Sequence, residues 1–410
     1  MPTLCVMIST TIVICSLNYP FDLRASDNSA SESKELGIEF DDTINVTDNM
    51  EDSVYGQVGS SKNNNNTYVV WQESIPGDIE GNYEIFFKKS YDKGISFGEE
   101  IRLSNNSGFS EHPQMASENE NIYVIWADNT NVNKQIYFIK SSDGGNSFGE
   151  QMTLSNGSSN AFNQEIASFE SNVYAVWLEK VSSGPYRVMT TSSSDGGETF
   201  RKPIALSENA TAQTFPKIST SNNHVYVAWN VEDESENRSG VYFTSSPDNG
   251  MTFGNVTRLN TEEKDFGEPQ VASSENHVYV IWGGSDTHKL SNLNLIKSDD
   301  YGETFSEINR ISETDLGRLN EPSNVDLTVD QNNRVYIAWQ DKMDASDKDE
   351  IFFAASTDFG ESFSSFTNLS NNSDISECPS IIAMGDMVFV AWEDFTPGNH
   401  EVLFSRGIIL

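Results

Sequence analysis

The stretch SSDGGNSF at residues 141–148 decides the fold, because its skeleton S-x-D-x-G-x-x-F occurs six times in the chain. An Asp side chain accepts hydrogen bonds from turn N–H groups and Gly tolerates positive φ, so each copy predicts a tight turn between two strands. Successive copies are 51 to 58 residues apart, which is typical of propeller blades and solenoid units. The other five copies span residues 90–97, 193–200, 246–253, 298–305 and 356–363.

A second motif, consisting of an aromatic residue, an apolar residue, any residue and Trp, keeps step with the first. Side chains three apart on a strand point to opposite faces, so both faces of this segment are apolar and both must be covered. The motif therefore predicts a central strand, here called strand B, packed between neighbouring sheets. It occurs seven times and uses all seven tryptophans: Trp71, Trp126, Trp177, Trp229, Trp282, Trp339 and Trp392.

The segments around strand B complete a four-stranded unit. A short segment with a small residue at one place precedes it, as in Val58-Gly59, and predicts an inner strand A close to a central axis. An aromatic strand C follows, as at residues 84–87, and then the turn and an outer strand D with an apolar residue six positions after the Phe, as in Leu103. Four antiparallel strands of five to eight residues make one propeller blade.

The strand count predicts seven blades and the way in which the ring closes. Seven A, B and C strands are present, but only six D strands follow a turn motif. Residues 33–40 form a degenerate copy with Glu in place of Asp, and Val46 stands six positions after Phe40. We therefore predict an all-β, seven-bladed β-propeller over residues 33–410 in which the N-terminal segment supplies strand D of the last blade. Six blades are the alternative.

These repeats resemble an Asp-box, or BNR-repeat, β-propeller of the sialidase superfamily. The resemblance covers residues 33–410 and implies that the turn motifs serve the fold, on the face opposite the active site. The superfamily includes sialidases and other glycoside hydrolases, and also receptor and assembly-factor propellers without catalysis. A fold shared by so many activities does not by itself assign a reaction.

Charge and the N-terminal segment limit the partners and the location. Asp plus Glu number 62 against 25 Lys plus Arg, for a formal net charge of -37, which argues against nucleic acid and anionic lipid as partners. Residues 1–25 contain an apolar run of signal-peptide length and residues 26–32 are a polar tether. We expect a secreted or cell-surface monomer, with no membrane insertion of the propeller. Nine N-x-S/T sequons, two of them at Asn105 and Asn156, agree with export.

The resemblance to sialidases does not extend to their chemistry. The family implies three arginines that hold the substrate carboxylate, the first within Arg-Ile-Pro, together with a Tyr-Glu pair and an Asp acid/base. This chain has no Arg-Ile-Pro. Several arginines fall on strand D or in turns, and only three are expected to reach the loop face: Arg187, Arg238 and Arg318. We therefore do not expect sialidase activity.

Other catalytic signatures are missing from the sequence. The five histidines have no metal-ligand spacing, and His224 and His277 fall at one repeat position, where we expect exposed turn residues. Cys5 and Cys15 lie in the predicted signal, so the mature chain keeps Cys378 alone, a lone thiol near strand A. No cofactor is implied.

The connections from B to C and from D to A vary in length and are polar, so we expect ligands on their face. Acidic residues recur there two positions after the Trp. They could serve a two-carboxylate glycosidase, weak calcium binding or a basic partner, or could face water or satisfy loop N–H groups. This predicted acidic rim consists of Glu73, Asp128, Glu179, Asp341 and Asp394.

The sequence therefore favours a non-catalytic recognition scaffold for a glycan or an extracellular protein. A glycoside hydrolase that uses carboxylates on the loop face is the first alternative. A building block of an extracellular coat is the second.

Overall fold

The computed structural model describes residues 37–61, 63–77, 82–180, 186–207, 215–231, 240–260, 265–285, 291–311, 322–342 and 348–410. The described residues all belong to one compact unit, Leu36–Leu410. The predicted signal, the tether and residues 33–36 of the degenerate motif copy lie outside the described residues. Among the described residues, no helix is long and apolar enough to cross a membrane.

The thirty described strands form seven antiparallel sheets, each of which is one blade with strand order A-B-C-D. Blades 1 to 3 are β3 (Ser53–Ser60), β4 (Thr67–Ser74), β5 (Tyr83–Ser90), β6 (Ile101–Arg102); β7 (Ser110–Glu118), β8 (Asn121–Asp128), β9 (Gln135–Ser141), β10 (Met152–Thr153); and β11 (Asn160–Phe169), β12 (Asn172–Lys180), β13 (Tyr186–Ser193), β14 (Ile204–Ala205). Blades 4 and 5 are β15 (Lys217–Ser221), β16 (His224–Val231), β17 (Gly240–Ser246), β18 (Thr257–Arg258); and β19 (Asp265–Phe266) with β20 (Gln270–Ser274), β21 (His277–Ser285), β22 (Ser291–Ser298), β23 (Asn309–Arg310). Blade 6 is β24 (Ser323–Val329), β25 (Val335–Lys342), β26 (Asp349–Ser356), β27 (Thr367–Asn368), and blade 7 is β28 (Ser376–Met384), β29 (Met387–Asp394), β30 (Glu401–Ile409) with β1 (Ile38–Phe40) and β2 (Ile44–Asn45).

The inner strands close a circle. Each contacts the inner strand of the next blade, in the order β3, β7, β11, β15, β20, β24, β28 and back to β3. The small residue of strand A permits this approach, since a Cβ on Gly59 would lie 2.8 Å from Cε of Met115 in the next blade. The prediction of a seven-bladed β-propeller is confirmed.

Strand B is buried on both faces, as its sequence requires. All seven tryptophans are at most 1% exposed. Apolar clusters join strands of adjacent blades, as where Trp71 of blade 1 packs with Phe404 of blade 7. The core therefore consists of packing between the blades around the whole ring.

The repeated turn is built as its residue types predict. Asp143 accepts hydrogen bonds from the N–H of Ser147 at 2.9 Å and from its hydroxyl at 2.6 Å. The Ser141 hydroxyl donates to Asp143 at 2.8 Å and accepts the N–H of Gly145 at 2.9 Å. Because strands alternate in direction, these C–D turns lie on the face opposite the start of strand A.

Each turn also contacts the preceding blade. Gly145 has φ of +81°, and a Cβ there would lie 2.8 Å from the ring of Phe87 on strand C of the preceding blade. The ring of Phe148 meets the same Phe87 edge to face, with centroids 5.0 Å apart. Glycine and phenylalanine are thus required in the motif by packing between blades.

The N-terminal segment closes the ring, which confirms the prediction. Strands β1 and β2 pair antiparallel with β30, from Ile38 opposite Ile409 to Asn45 opposite Leu403. Phe40 meets Phe353 of blade 6 at 5.0 Å and 73°, the same arrangement as Phe148 on Phe87.

Two details of the sequence prediction are wrong. The D strands have two residues each in blades 1 to 6, because the ladder ends at the apolar residue; Leu103 still donates its N–H to Ile85 at 2.7 Å. His224 and His277 begin strands β16 and β21 and are half-buried, whereas exposed turn residues were expected. Each contacts an aromatic residue in the turn of the next blade: His224 stacks on Tyr301 at 4.4 Å, and His277 meets Phe359 at 5.2 Å with tilted rings.

Candidate functional site

Five inner strands carry a β-bulge where they begin, on the face of the D–A connections. The register shifts by one residue in β3, β7, β11, β24 and β28. One bulge residue in each strand adopts a left-handed backbone, with φ between 44° and 55°: Tyr55, His112, Asn163, Asn324 and Cys378. Bulges redirect side chains and are frequent beside functional sites.

Phe215 of blade 4 and Glu268 of blade 5 stand at the equivalent position, two residues before Lys217 and Gln270. All seven side chains line one cavity of about 520 Å³ at the opening of the central channel. We call this set the mouth ring: Tyr55, His112, Asn163, Phe215, Glu268, Asn324 and Cys378.

Three of the bulges are held from the preceding blade. Gln72 accepts the N–H of His112 at 2.6 Å, Gln340 that of Cys378 at 3.2 Å, and Glu393 that of Tyr55 at 2.6 Å. These three acceptors follow a strand B tryptophan directly. The mouth ring is thus pre-organised by contacts between blades.

Aromatic faces are available at the mouth. Tyr55 is 37% exposed, and its ring lies 4.3 Å from that of His112 in the next blade. Phe215, half-buried, lines the cavity from blade 4. These rings offer apolar surface beside the amides of Asn163 and Asn324.

A second ring narrows the channel below the mouth, around a cavity of about 280 Å³. Its single ammonium, Lys217, pairs with Glu165 at 2.9 Å. Asp326 accepts the N–H of Ile381 at 2.8 Å. We call this set the channel ring: Gln57, Gln114, Glu165, Lys217, Gln270, Asp326 and Ser380.

Enclosure by protein perturbs the carboxyl groups near the channel. Burial raises the pKa of Asp326 to about 6, although the N–H of Ile381 and the charge of Lys217 oppose the rise. Burial likewise raises the pKa of Glu393 to about 7 and that of Glu268 above its ordinary value. A carboxyl group that is shifted in this way and lies in a cleft is a candidate functional group.

The predicted acidic rim has a different environment. Its members do occupy one register position where strand B ends, but all five are at most 7% exposed. Asp128 accepts hydrogen bonds from Nδ2 of Asn106 at 2.7 Å and from Oγ of Ser110 at 2.8 Å. Equivalent hydrogen bonds occur in blades 7 and 1: Asp394 accepts them from Asn372 and Ser376, and Glu73 from Asn49 and Ser53.

Glu73, Asp128 and Asp394 therefore tie the D–A connection to strand B, and do not form an exposed rim. The other two members of the predicted rim have different neighbours: Asp341 accepts the N–H of Lys342 at 2.7 Å, and Glu179 lies opposite Arg187 on the adjacent strand. Among the described residues, no group of three or more His, Cys, Asp or Glu side chains has the arrangement of a metal site. Calcium binding by these acids stays a prediction.

The arginines lie largely where the sequence places them. Arg102, Arg258 and Arg310 are on outer strands, and Arg187 is exposed at the start of β13. Arg238 and Arg318 lie outside the described residues. Among the described residues that line the two cavities, Lys217 is the only basic side chain apart from His112.

Sequence reasoning missed the mouth ring, although the chain contains a signal for it. Four of the twelve prolines stand at one repeat position, directly after the bulge residue or its equivalent: Pro113, Pro216, Pro269 and Pro379. Within sheets Pro is confined to edges and bulges. A Pro that recurs at the start of strand A therefore indicates where the inner ladder is interrupted.

Comparison with known proteins gives a fold and no more. No family model matches the sequence. No curated protein matches it. A protein of unknown function from Dyadobacter fermentans aligns with a TM-score of 0.57 and 15% identity over 91% of this chain and 100% of its own.

Two sialidases align as well. A Hadza microbial sialidase has a TM-score of 0.52 and 14% identity over 79% of this chain and 73% of its own. The NanB sialidase from Streptococcus pneumoniae has a TM-score of 0.51 and 10% identity over 90% of this chain and 70% of its own. The chain thus shares the β-propeller fold of sialidase-like proteins.

Proposed function

We propose that the protein is an exported, non-catalytic recognition propeller that binds a glycan at the mouth of its channel. The observation that carries the proposal is the mouth ring, in which seven blades each place one side chain around a single cavity, five of them from a β-bulge. Variable surfaces on a rigid scaffold are where such folds bind ligands. Export rests on the apolar run within residues 1–25, which lies outside the described residues.

The composition of the mouth ring favours a sugar. The C–H face of a pyranose packs on an aromatic ring, and its hydroxyl groups bond to amides and carboxylates at the edge. Tyr55, His112 and Phe215 supply the first kind of surface, and Asn163 and Asn324 the second. A pocket with apolar walls and a few fixed polar groups is the usual form of a small-ligand site.

The charges of the cavity disfavour an acidic sugar. A carboxylate ligand is held best by the planar fork of an arginine. Lys217, the one Lys or Arg among the described residues of the two cavities, is already paired with Glu165. The carboxyl groups of Glu268 and Asp326 would repel an anion.

The test is a panel of neutral, cationic and acidic oligosaccharides, scored for binding and for sugar release. We expect saturable binding without release, and weakening of at least about tenfold in Tyr55→Ala, on the scale of a central aromatic contact. The matched control is Tyr91→Ala, because Tyr91 is 64% exposed in a C–D turn on the opposite face. Equal losses in both variants, or no binding by any glycan, would refute the proposal.

A glycoside hydrolase is the second candidate, favoured by two carboxyl groups with raised pKa values that line the cavities, Asp326 in the channel and Glu268 at the mouth. Glycosidases of the common kind need one carboxylic acid and one carboxylate. Release of sugar from the same panel, lost on Asp326→Asn while binding remains, would replace the first proposal by this one.

A further inference from the structure

The floor of the mouth holds more negative than positive charge. Three carboxyl groups, Glu165, Glu268 and Asp326, act on one ammonium, Lys217. Burial lowers the pKa of Lys217, and these three groups together raise it above its ordinary value. The lysine is therefore a fixed cation that neutralises one of the three.

Glu165 is the acid that Lys217 contacts, at 2.9 Å, and the two side chains are 17% and 18% exposed. Glu268 lines the mouth cavity and Asp326 the channel cavity beneath it. Burial raises the pKa of both groups, and the nearby charge of Glu165 adds to the rise while that of Lys217 opposes it. A ligand with a positive charge would favour their ionised forms.

An independent feature of the same cavity also calls for a hydrogen-bond donor. Gln164 lines the mouth cavity and is 4% exposed. Its side-chain nitrogen donates to the carbonyl oxygens of Glu111, at 3.4 Å, and of His112, which fixes the orientation of the amide. Its buried Oε1 has no donor among the described residues. Native proteins rarely leave such an oxygen unpaired, so it points to a ligand that donates.

The aromatic wall suits a cation too. Tyr55 and Phe215 line the cavity with Glu268. Aromatic faces attract ammonium groups through the ring quadrupole, and more strongly where water is excluded.

We propose that the mouth selects a glycan that carries a protonated amine, an amino sugar without its N-acetyl group, and holds the ammonium in the field of Glu268, Glu165 and Asp326. The inference rests on the proposed function, since it names the substrate class of the same site. An N-acetylated sugar has the same ring and hydroxyl groups but no charge, so the two ligands differ in the feature at issue.

The experiment compares the tetrasaccharide of glucosamine with that of N-acetylglucosamine by calorimetry at pH 7 and low salt. We expect the amine to bind at least about tenfold more tightly, and this advantage to fall with added salt, since excess carboxylates at contact distance act through a reduced dielectric. Glu268→Gln should reduce the advantage several-fold. Lys217→Met should enlarge it, because the competing ammonium is gone.

The control variant is Glu198→Gln, which removes an exposed acid from a C–D turn, where Glu198 pairs with Lys140. It should leave both affinities unchanged. Binding of the N-acetylated tetrasaccharide by each variant reports that the mouth is folded.

Equal affinity for the two tetrasaccharides, or an advantage that Glu268→Gln and Glu198→Gln reduce equally, overturns the inference and leaves glycan recognition standing. The inference also fails if neither tetrasaccharide binds while another glycan of the panel does. Absence of binding by every glycan refutes the proposed function itself.

Discussion

The seam between β1–β2 and β30 joins paired strands from the two ends of the described propeller, whereas strands C and D of blades 1 to 6 are joined by a turn. Phe40 secures it against blade 6 by its edge-to-face contact with Phe353. Phe40→Ala removes that contact and leaves the backbone pairing intact. Phe148→Ala removes the same contact, at the same 5.0 Å, from a blade whose strands C and D are joined by a turn.

The two substitutions should cost similar free energy of unfolding. Truncating a fully buried Phe costs about 3–5 kcal/mol, and both side chains are half-buried. We therefore expect about 2–3 kcal/mol from each, of which about 1 kcal/mol is the aromatic pair. The difference should lie in local opening, since at Phe148 the turn still tethers strand D.

Denaturant unfolding measures the first quantity and native-state hydrogen exchange the second. In Phe40→Ala the amides of the seam, among them Val46 and Leu410, should exchange faster, well before global unfolding. In Phe148→Ala the same amides should exchange as in the parent. A chain that begins at residue 50 should melt far lower or aggregate, because β30 would then have a bare edge.

Two results would refute this reasoning. One is an exchange pattern of the seam that is the same in Phe40→Ala and Phe148→Ala. The other is a chain without residues 1–49 whose melting temperature equals that of the full chain.

Two further predictions concern the repeated turn and the buried acids. Asp143→Ala should lower the free energy of unfolding by about 1–2 kcal/mol through lost hydrogen bonds and leave glycan affinity at the mouth unchanged. Loss of binding in a variant that remains folded would show that the functional face has been assigned wrongly. Hydrogen bonds from Ser147 and Ser141 lower the pKa of Asp143 to about 2 from its ordinary 3.8, so the contribution is complete above the ordinary value and is lost as the pH falls through about 2, where parent and variant should converge in thermal melts. Replacing Asp128, Asp341 and Asp394 by Asn should weaken calcium binding in calorimetry, whereas equal affinity would show that these acids do not bind calcium and would leave Asp128 and Asp394 with their role in the D–A connections.

The fold was predictable because its signals are local and repeated. The Trp strand and the turn motif each depend on residues close in sequence, and their register extends to Phe40 and Val46 even where the motif is degenerate. The length of strand D was not predictable, because the hydrogen-bond ladder ends where Leu103 turns into the core, and this turn depends on packing against the neighbouring blade.

The candidate site was less accessible to sequence reasoning. Asp128 and Asp394 share a register position, but whether an acid at the end of a strand faces water or the protein depends on its partners. For Asp128 these are Asn106 and Ser110, which are 22 and 18 residues away. The bulge at Tyr55 depends on Glu393, which is 338 residues distant. Contacts at that separation leave no periodic signal.

The closure of the ring also has a mechanical consequence. The carbonyl of Gly37 accepts the N–H of Leu410 at 2.9 Å, so the two ends of the described propeller lie side by side in antiparallel strands. A force that pulls these ends apart acts on one hydrogen-bonded pair at a time, from Gly37–Leu410 inward, and peels β1 from β30 as a zipper opens. A force applied between two interior blades instead loads many bonds and packed side chains together. The protein should therefore resist tension least when it is pulled by its two ends.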